Sequence, residues 1–111
     1  MKHKTFKHMD CPIAQSLEVV GEWWTPLILR NIVIVGHTRF DDIQESLEIA
    51  PTVLTRRLNH LVDSGLLERH RYSEHPPRFE YIATEAATDF KPVLKALAKW
   101  GKKWTSAAEH R

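Results

Sequence analysis

A chain of 111 residues, 42% hydrophobic and 27% charged, has room for one folded domain with a thin core. That balance excludes a disordered chain, and the apolar runs are too short to cross a bilayer, the longest being Ile32–Val35. Sixteen Lys and Arg against fourteen Asp and Glu give a formal charge of +2, too even for bulk charge alone to indicate a nucleic-acid partner.

The opening "MKHKTFKHMD" lacks the apolar core of a signal peptide, which predicts a cytoplasmic protein with no membrane partner; residues 1–10 read as a flexible tail. A first helix starts at Pro12, carries Ile13, Leu17 and Val20 at helical spacing, and stops at Gly21. Next, Trp24, Leu27, Ile28, Ile32 and Val35 form a wide apolar stripe, with Thr25 before Pro26 as a candidate cap and Gly36 as the stop. The β-branched run Ile32–Val35 is also compatible with a strand.

Residues 38–65 read as a helix-turn-helix. Phe40, Ile43 and Leu47 share one face of a short helix, and the tight turn "EIAP" leads into a second helix. That second helix opens at Pro51, lines up Leu54, Leu58, Leu61 and Val62, and ends at Gly65. Residues 66–84 follow as a hairpin, "LLERHRY" and "RFEYIAT" around "SEHPP". In residues 85–111, Phe90, Leu94, Leu97, Gly101 and Trp104 recur at the spacing of a helix seam, with Pro92 either kinking the helix or starting it. The order predicts a mainly α fold with a small β-hairpin, a winged helix-turn-helix spanning residues 1–111 as one domain.

Placed on a wheel at about 100° per residue, Arg56 falls almost opposite the leucine face of the second helix. Thr52 and Asn59 flank it, with Thr55 and Arg57 further round. Arginine can pair with guanine O6 and N7, asparagine suits adenine, and threonine offers a hydroxyl or a methyl group. Pro51 leaves no competing N–H at the helix start, where free N–H groups favour a phosphate. The bland reading is that Arg56 and Arg57 only solvate a surface helix, pairing with Asp63 or Glu48. The hairpin weighs against it: Pro76, Pro77 and Arg78 make a stiff, cationic tip, and His75 and Arg71 are within reach of phosphates.

Five segments, in order, resemble the HxlR-type winged-helix transcriptional regulators of bacteria and archaea: "CPIAQSLEVVGEWWTPLILR", "TRFDDI", "VLTRRLNHLVDSGLLER", "YSEHPPRFEYIAT" and "PVLKALAKWG". The resemblance implies a homodimer that binds double-stranded promoter DNA. It places Pro51, Thr52, Thr55 and Arg56 in the groove-reading helix, Arg78 in the wing, and Thr38 and Arg39 near the DNA backbone. The chain departs from the family pattern at Ala50, Thr52, Pro26 and Ala87, where serine, lysine, an aliphatic residue and glycine are frequent.

Cys11, the only cysteine, precedes Pro12 at the head of the first helix. It is a candidate redox or electrophile sensor, because a helix N-terminus favours a thiolate; the alternative is a small packing residue. The histidine spacings match no metal site, no cofactor motif is present, and nothing assembles a catalytic group, so an enzyme is not expected. Phe90, Leu94, Leu97, Trp100 and Trp104 exceed what a small domain can cover, which predicts a two-fold dimer through the first and last helices. The alternative folds the last helix back over Trp23 and Trp24 of its own chain. A rival function is a winged-helix protein-interaction module without specific DNA binding.

Overall fold

A computed structural model describes residues 5–105. Helix α1 spans Pro12–Val20 and α2 spans Trp24–Arg30, which runs on without a break into a π-helical turn over Asn31–Val35. Helices α3, Phe40–Leu47, and α4, Pro51–Asp63, precede strands β1, Leu67–Glu74, and β2, Pro77–Ala83. A single turn, α5, Glu85–Thr88, leads into α6, Lys91–Trp104.

Local chemistry explains most of these boundaries. The Glu22 carboxylate accepts the backbone N–H of Trp24 at 2.9 Å and of Thr25 at 3.2 Å, satisfying two of the orphan donors at the start of α2. Thr25, expected as the cap, is fully buried inside the first turn, and its hydroxyl donates to the same carboxylate at 3.3 Å. Ile32–Val35, open to a strand reading, continues the helix instead. The π turn closes where Gly36 takes φ +96, with the N–H groups of Gly36 and His37 both 2.9 Å from the Asn31 carbonyl. A side chain at that φ would be strained, so glycine ends the helix. Pro92 starts α6 rather than kinking it, since it lies in the first turn where no N–H partner is needed.

The core joins one face of each helix. Ile28, Leu29, Ile43, Leu54, Leu58 and Leu61 are wholly buried, each contributing about 1.5–3 kcal/mol by leaving water. Between α3 and α4 the chain reverses through Glu48 at φ 52 and drops Ile49 into this core. The two strands pair antiparallel from Leu67–Ala83 to Glu74–Pro77, and buried Leu67 and Tyr81 root the hairpin. Tyr72 is an extra residue between Arg71 and Ser73, a bulge in β1. The approach to α3 adds a single β-bridge to this two-stranded sheet: Tyr81 N–H donates to the Thr38 carbonyl at 2.7 Å, and Arg39 pairs with Glu80.

Residues 5–10, expected to belong to a flexible tail, are held against α1. The Gln15 side-chain amide donates to the carbonyls of Met9 at 2.6 Å and Lys7 at 3.2 Å. The Glu18 carboxylate accepts from the Thr5 hydroxyl and the Phe6 N–H. Residues 1–4 of the expected tail and 106–111 of the last segment lie outside the described residues. Among the described residues, no helix is long and apolar enough to cross a membrane.

Candidate nucleic-acid interface

Helix α4 turns Leu54, Leu58 and Leu61 inward and leaves Pro51, Thr52, Thr55, Arg56 and Asn59 exposed on the opposite side. Its flank is tied down. Arg57 pairs with neither Asp63 nor Glu48; its Nε lies 3.3 Å from Oε1 of Glu22, the same oxygen that caps α2. His60 Nε2 donates to the Val19 carbonyl at 2.8 Å, a second link to the end of α1. The buried leucine face sets the rotation of α4, and these two contacts agree with it.

The hairpin brings further cations to the same side. Arg39 stacks on Tyr72 with its guanidinium carbon 4.2 Å from the ring centroid, a contact made possible by the bulge that carries Tyr72. Arg78 Nη1 lies 3.7 Å from Asp41 Oδ2, and Arg71 Nη1 donates to Glu74 Oε2 at 3.1 Å. Arg69 Nη1 donates to Asn59 Oδ1 at 3.1 Å, joining β1 to α4. Exposed pairs of this kind are worth roughly 0–1 kcal/mol, so they orient side chains without locking them away. Among the arginines of α4 and the hairpin, Arg56 alone has no hydrogen bond, ion pair or ring contact within the described residues.

Thr38 is half-buried with its carbonyl committed to Tyr81, so its contribution to this face is its place beside exposed Arg39. Arg69 and Tyr72 were not singled out in the sequence, because a strand pattern says nothing about a partner on another element. Tyr81 is almost fully buried; burial pushes its phenol above the usual value, while the Arg69 guanidinium beside it pulls the other way.

On α6 the expected dimer residues divide into two groups. Leu94 is buried and Phe90 half-buried, both packed into the chain's own core. Leu97, Trp100 and Trp104 are 57%, 62% and 65% exposed, and Val93 of α6 and Ile13 of α1 are exposed as well. The last helix leaves Trp23 79% exposed, but it does pack against α2, whose Trp24 is half-buried against the core. Cys11 is half-buried and holds the N-cap position of α1 without a side-chain capping bond. Among the described residues no cluster of three or more His, Cys, Asp or Glu is placed to hold a metal.

A helix-turn-helix whose second helix is exposed on its polar face, followed by a rooted two-stranded hairpin, defines a winged helix-turn-helix protein. The HxlR-like helix-turn-helix family model matches residues 19–109, and the chain belongs to that family of transcriptional regulators. It is 39% identical over 97 residues to Rv3095 of Mycobacterium tuberculosis, an uncharacterised HTH-type transcriptional regulator; the match covers 87% of this chain. The matched region spans 61% of the length of that relative. Among solved structures, PA1374 of Pseudomonas aeruginosa, a candidate transcription factor, is 53% identical with a TM-score of 0.66, over 85% of this chain and 64% of the other. The redox regulator HypR in its reduced form is 26% identical with a TM-score of 0.77, over 91% of this chain and all of the other.

Proposed function

We propose that the protein is a sequence-specific DNA-binding transcriptional regulator, acting as a homodimer on a roughly palindromic operator. The observation that carries this reading is Arg56, without an internal partner on the outward face of α4 and flanked by exposed Thr52 and Thr55. In the major groove Arg56 pairs with guanine O6 and N7, and the threonines meet neighbouring base edges. Arg78 and Arg39 exchange Asp41 and Tyr72 for phosphates on the flanking backbone, with Thr38 alongside. Pro51 sets the start of α4, whose free N–H groups approach a phosphate. The apolar strip Leu97, Trp100 and Trp104, with α1, packs on its counterpart in a second copy. This sets two reading helices about 34 Å apart.

The test is fluorescence anisotropy with DNA from upstream of the protein's own gene against scrambled DNA, alongside the mass in solution. Selective binding by a species of twice the chain mass is expected. A monomer at micromolar concentration would contradict the dimer. Failure on every DNA in a randomised library would leave a protein-interaction module as the function.

Redox control through Cys11 extends the same reading. Support comes from its place at the head of α1, next to the proposed dimer face, and from the likeness to a redox regulator. With one cysteine per chain, oxidation must join two chains, join a small thiol, or oxidise the Cys11 sulfur directly. Alkylation of native protein by iodoacetamide, with DNA binding changed by an oxidant in the wild type and not in Cys11→Ser, is the expected result. A thiol that iodoacetamide cannot reach in the native protein would overturn it.

A further inference from the structure

Asn59 faces outward on α4, and its side chain is oriented by a partner. Arg69 reaches over from β1 and donates a hydrogen bond at 3.1 Å. A guanidinium only donates, so the atom facing it must be the carbonyl oxygen of the Asn59 amide, and the NH2 group must occupy the other branch. Arg69 is itself positioned on several sides: it lies 5.5 Å from the Phe79 ring centroid and beside the Tyr81 phenol. One lone pair of that oxygen therefore holds a charge-assisted bond, exposed and so modest in strength, which is enough to orient the amide.

An asparagine that reads adenine must accept from the N6 amino group while donating to N7. Here Arg69 takes one lone pair of the oxygen, and an adenine amino group aimed at the second would meet the positive guanidinium next to it. The composite surface offers donors: the Asn59 NH2 and the remaining N–H groups of Arg69. Such a surface matches the acceptor pair of guanine, O6 and N7.

We propose that Arg69 is a specificity-determining positioning residue, which turns Asn59 from an adenine reader into a donor that favours guanine. This rests on the reading of α4 as the groove-reading helix. It also replaces the simpler expectation that Asn59 suits adenine.

Site selection from a randomised duplex library tests it, with wild type, Asn59→Ala, Arg69→Met, Arg69→Lys and the double variant Arg69→Met with Asn59→Ala. The position that Asn59 reads is the one whose preference flattens in Asn59→Ala. Wild type is expected to enrich guanine there, and Arg69→Met to move the guanine-to-adenine ratio toward adenine by about tenfold, the scale of one base contact. Arg69→Lys, which keeps a donor, retains part of the guanine preference, and the double variant matches Asn59→Ala at that position. Unchanged melting of Arg69→Met separates the effect from misfolding. Arg69→Met with the wild-type base preferences and a uniform loss of affinity would overturn the proposal. So would adenine enriched by the wild type, or an Asn59→Ala profile with no flattened position. A wild type that enriches no site at all would remove the regulator reading itself, a result distinct from the other three.

Discussion

On the side of α4 and the hairpin, the exposed groups are mostly polar and most have an answer within the chain: Arg39 on Tyr72, Arg69 on Asn59, Arg71 on Glu74, Arg78 on Asp41. On the side of α1 and α6, Ile13, Val93, Leu97, Trp100 and Trp104 are exposed and large, and the core beneath them is already closed by Leu94 and Phe90. The energies differ in kind. Burying one large apolar side chain is worth about 1.5–3 kcal/mol. An exposed ion pair is worth roughly 0–1 kcal/mol and can be traded for another. One side can thus exchange partners at little cost, whereas the other gains most from acquiring one.

Breaking the apolar side should produce the largest effect. Leu97→Asp with Trp100→Asp is expected to leave a folded monomer by sedimentation equilibrium. Its affinity for a two-half-site operator should fall by about 10²–10⁴, the share that linkage supplies. A persistent dimer would move the interface off α6. On the polar side, Arg56→Ala should lose about 1–3 kcal/mol of binding and relax selection at one base pair in a titration against single-base operator variants. Equal weakening on all sequences would make Arg56 a phosphate contact. Between the two sides sits Glu22. Glu22→Ala removes a helix cap and the partner of Arg57, for a loss of about 1 kcal/mol in urea unfolding. The ion pair adds only a few tenths to that, because both members are partly exposed. The smallest effect belongs to Asp41→Asn, which releases Arg78. Stability should move by less than about 0.5 kcal/mol. DNA affinity should rise by no more than about fivefold, as measured by anisotropy. A fall in affinity would mean that Asp41 orients Arg78 for DNA instead of competing for it.

The polar side was legible in the sequence wherever periodicity decides orientation. Leu54, Leu58 and Leu61 must share the inward face, so Arg56 must point away. What periodicity cannot supply is the identity of a partner distant in the chain. Arg57 finds Glu22, 35 positions earlier, because α4 packs across the α1–α2 turn; Asp63 and Glu48 were only the nearer carboxylates in sequence. Likewise, nothing local indicates that Asn59 is held by Arg69, or that a bulge delivers Tyr72 to Arg39. On α6 the seam was right as a pattern yet merged two surfaces. Phe90 and Leu94 serve the core of one chain, and the residues from Leu97 onward extend past the end of that core. Spacing marks a helix face without saying where along its length the neighbouring packing stops. The start of α2 shows the opposite bias: Thr25 has the right chemistry for a cap, but the longer Glu22 side chain reaches the free N–H groups first.

The strand-like pairing of Thr38 and Arg39 with β2 has a consequence for control. It staples the entry of α3 to the hairpin while the Asn59–Arg69 bond staples the hairpin to α4. In the proposed dimer, each unit of α3, α4 and hairpin would therefore move as one piece. A signal arriving at α1 would work as a hand sets a pair of calipers: it alters the gap between two points without reshaping either.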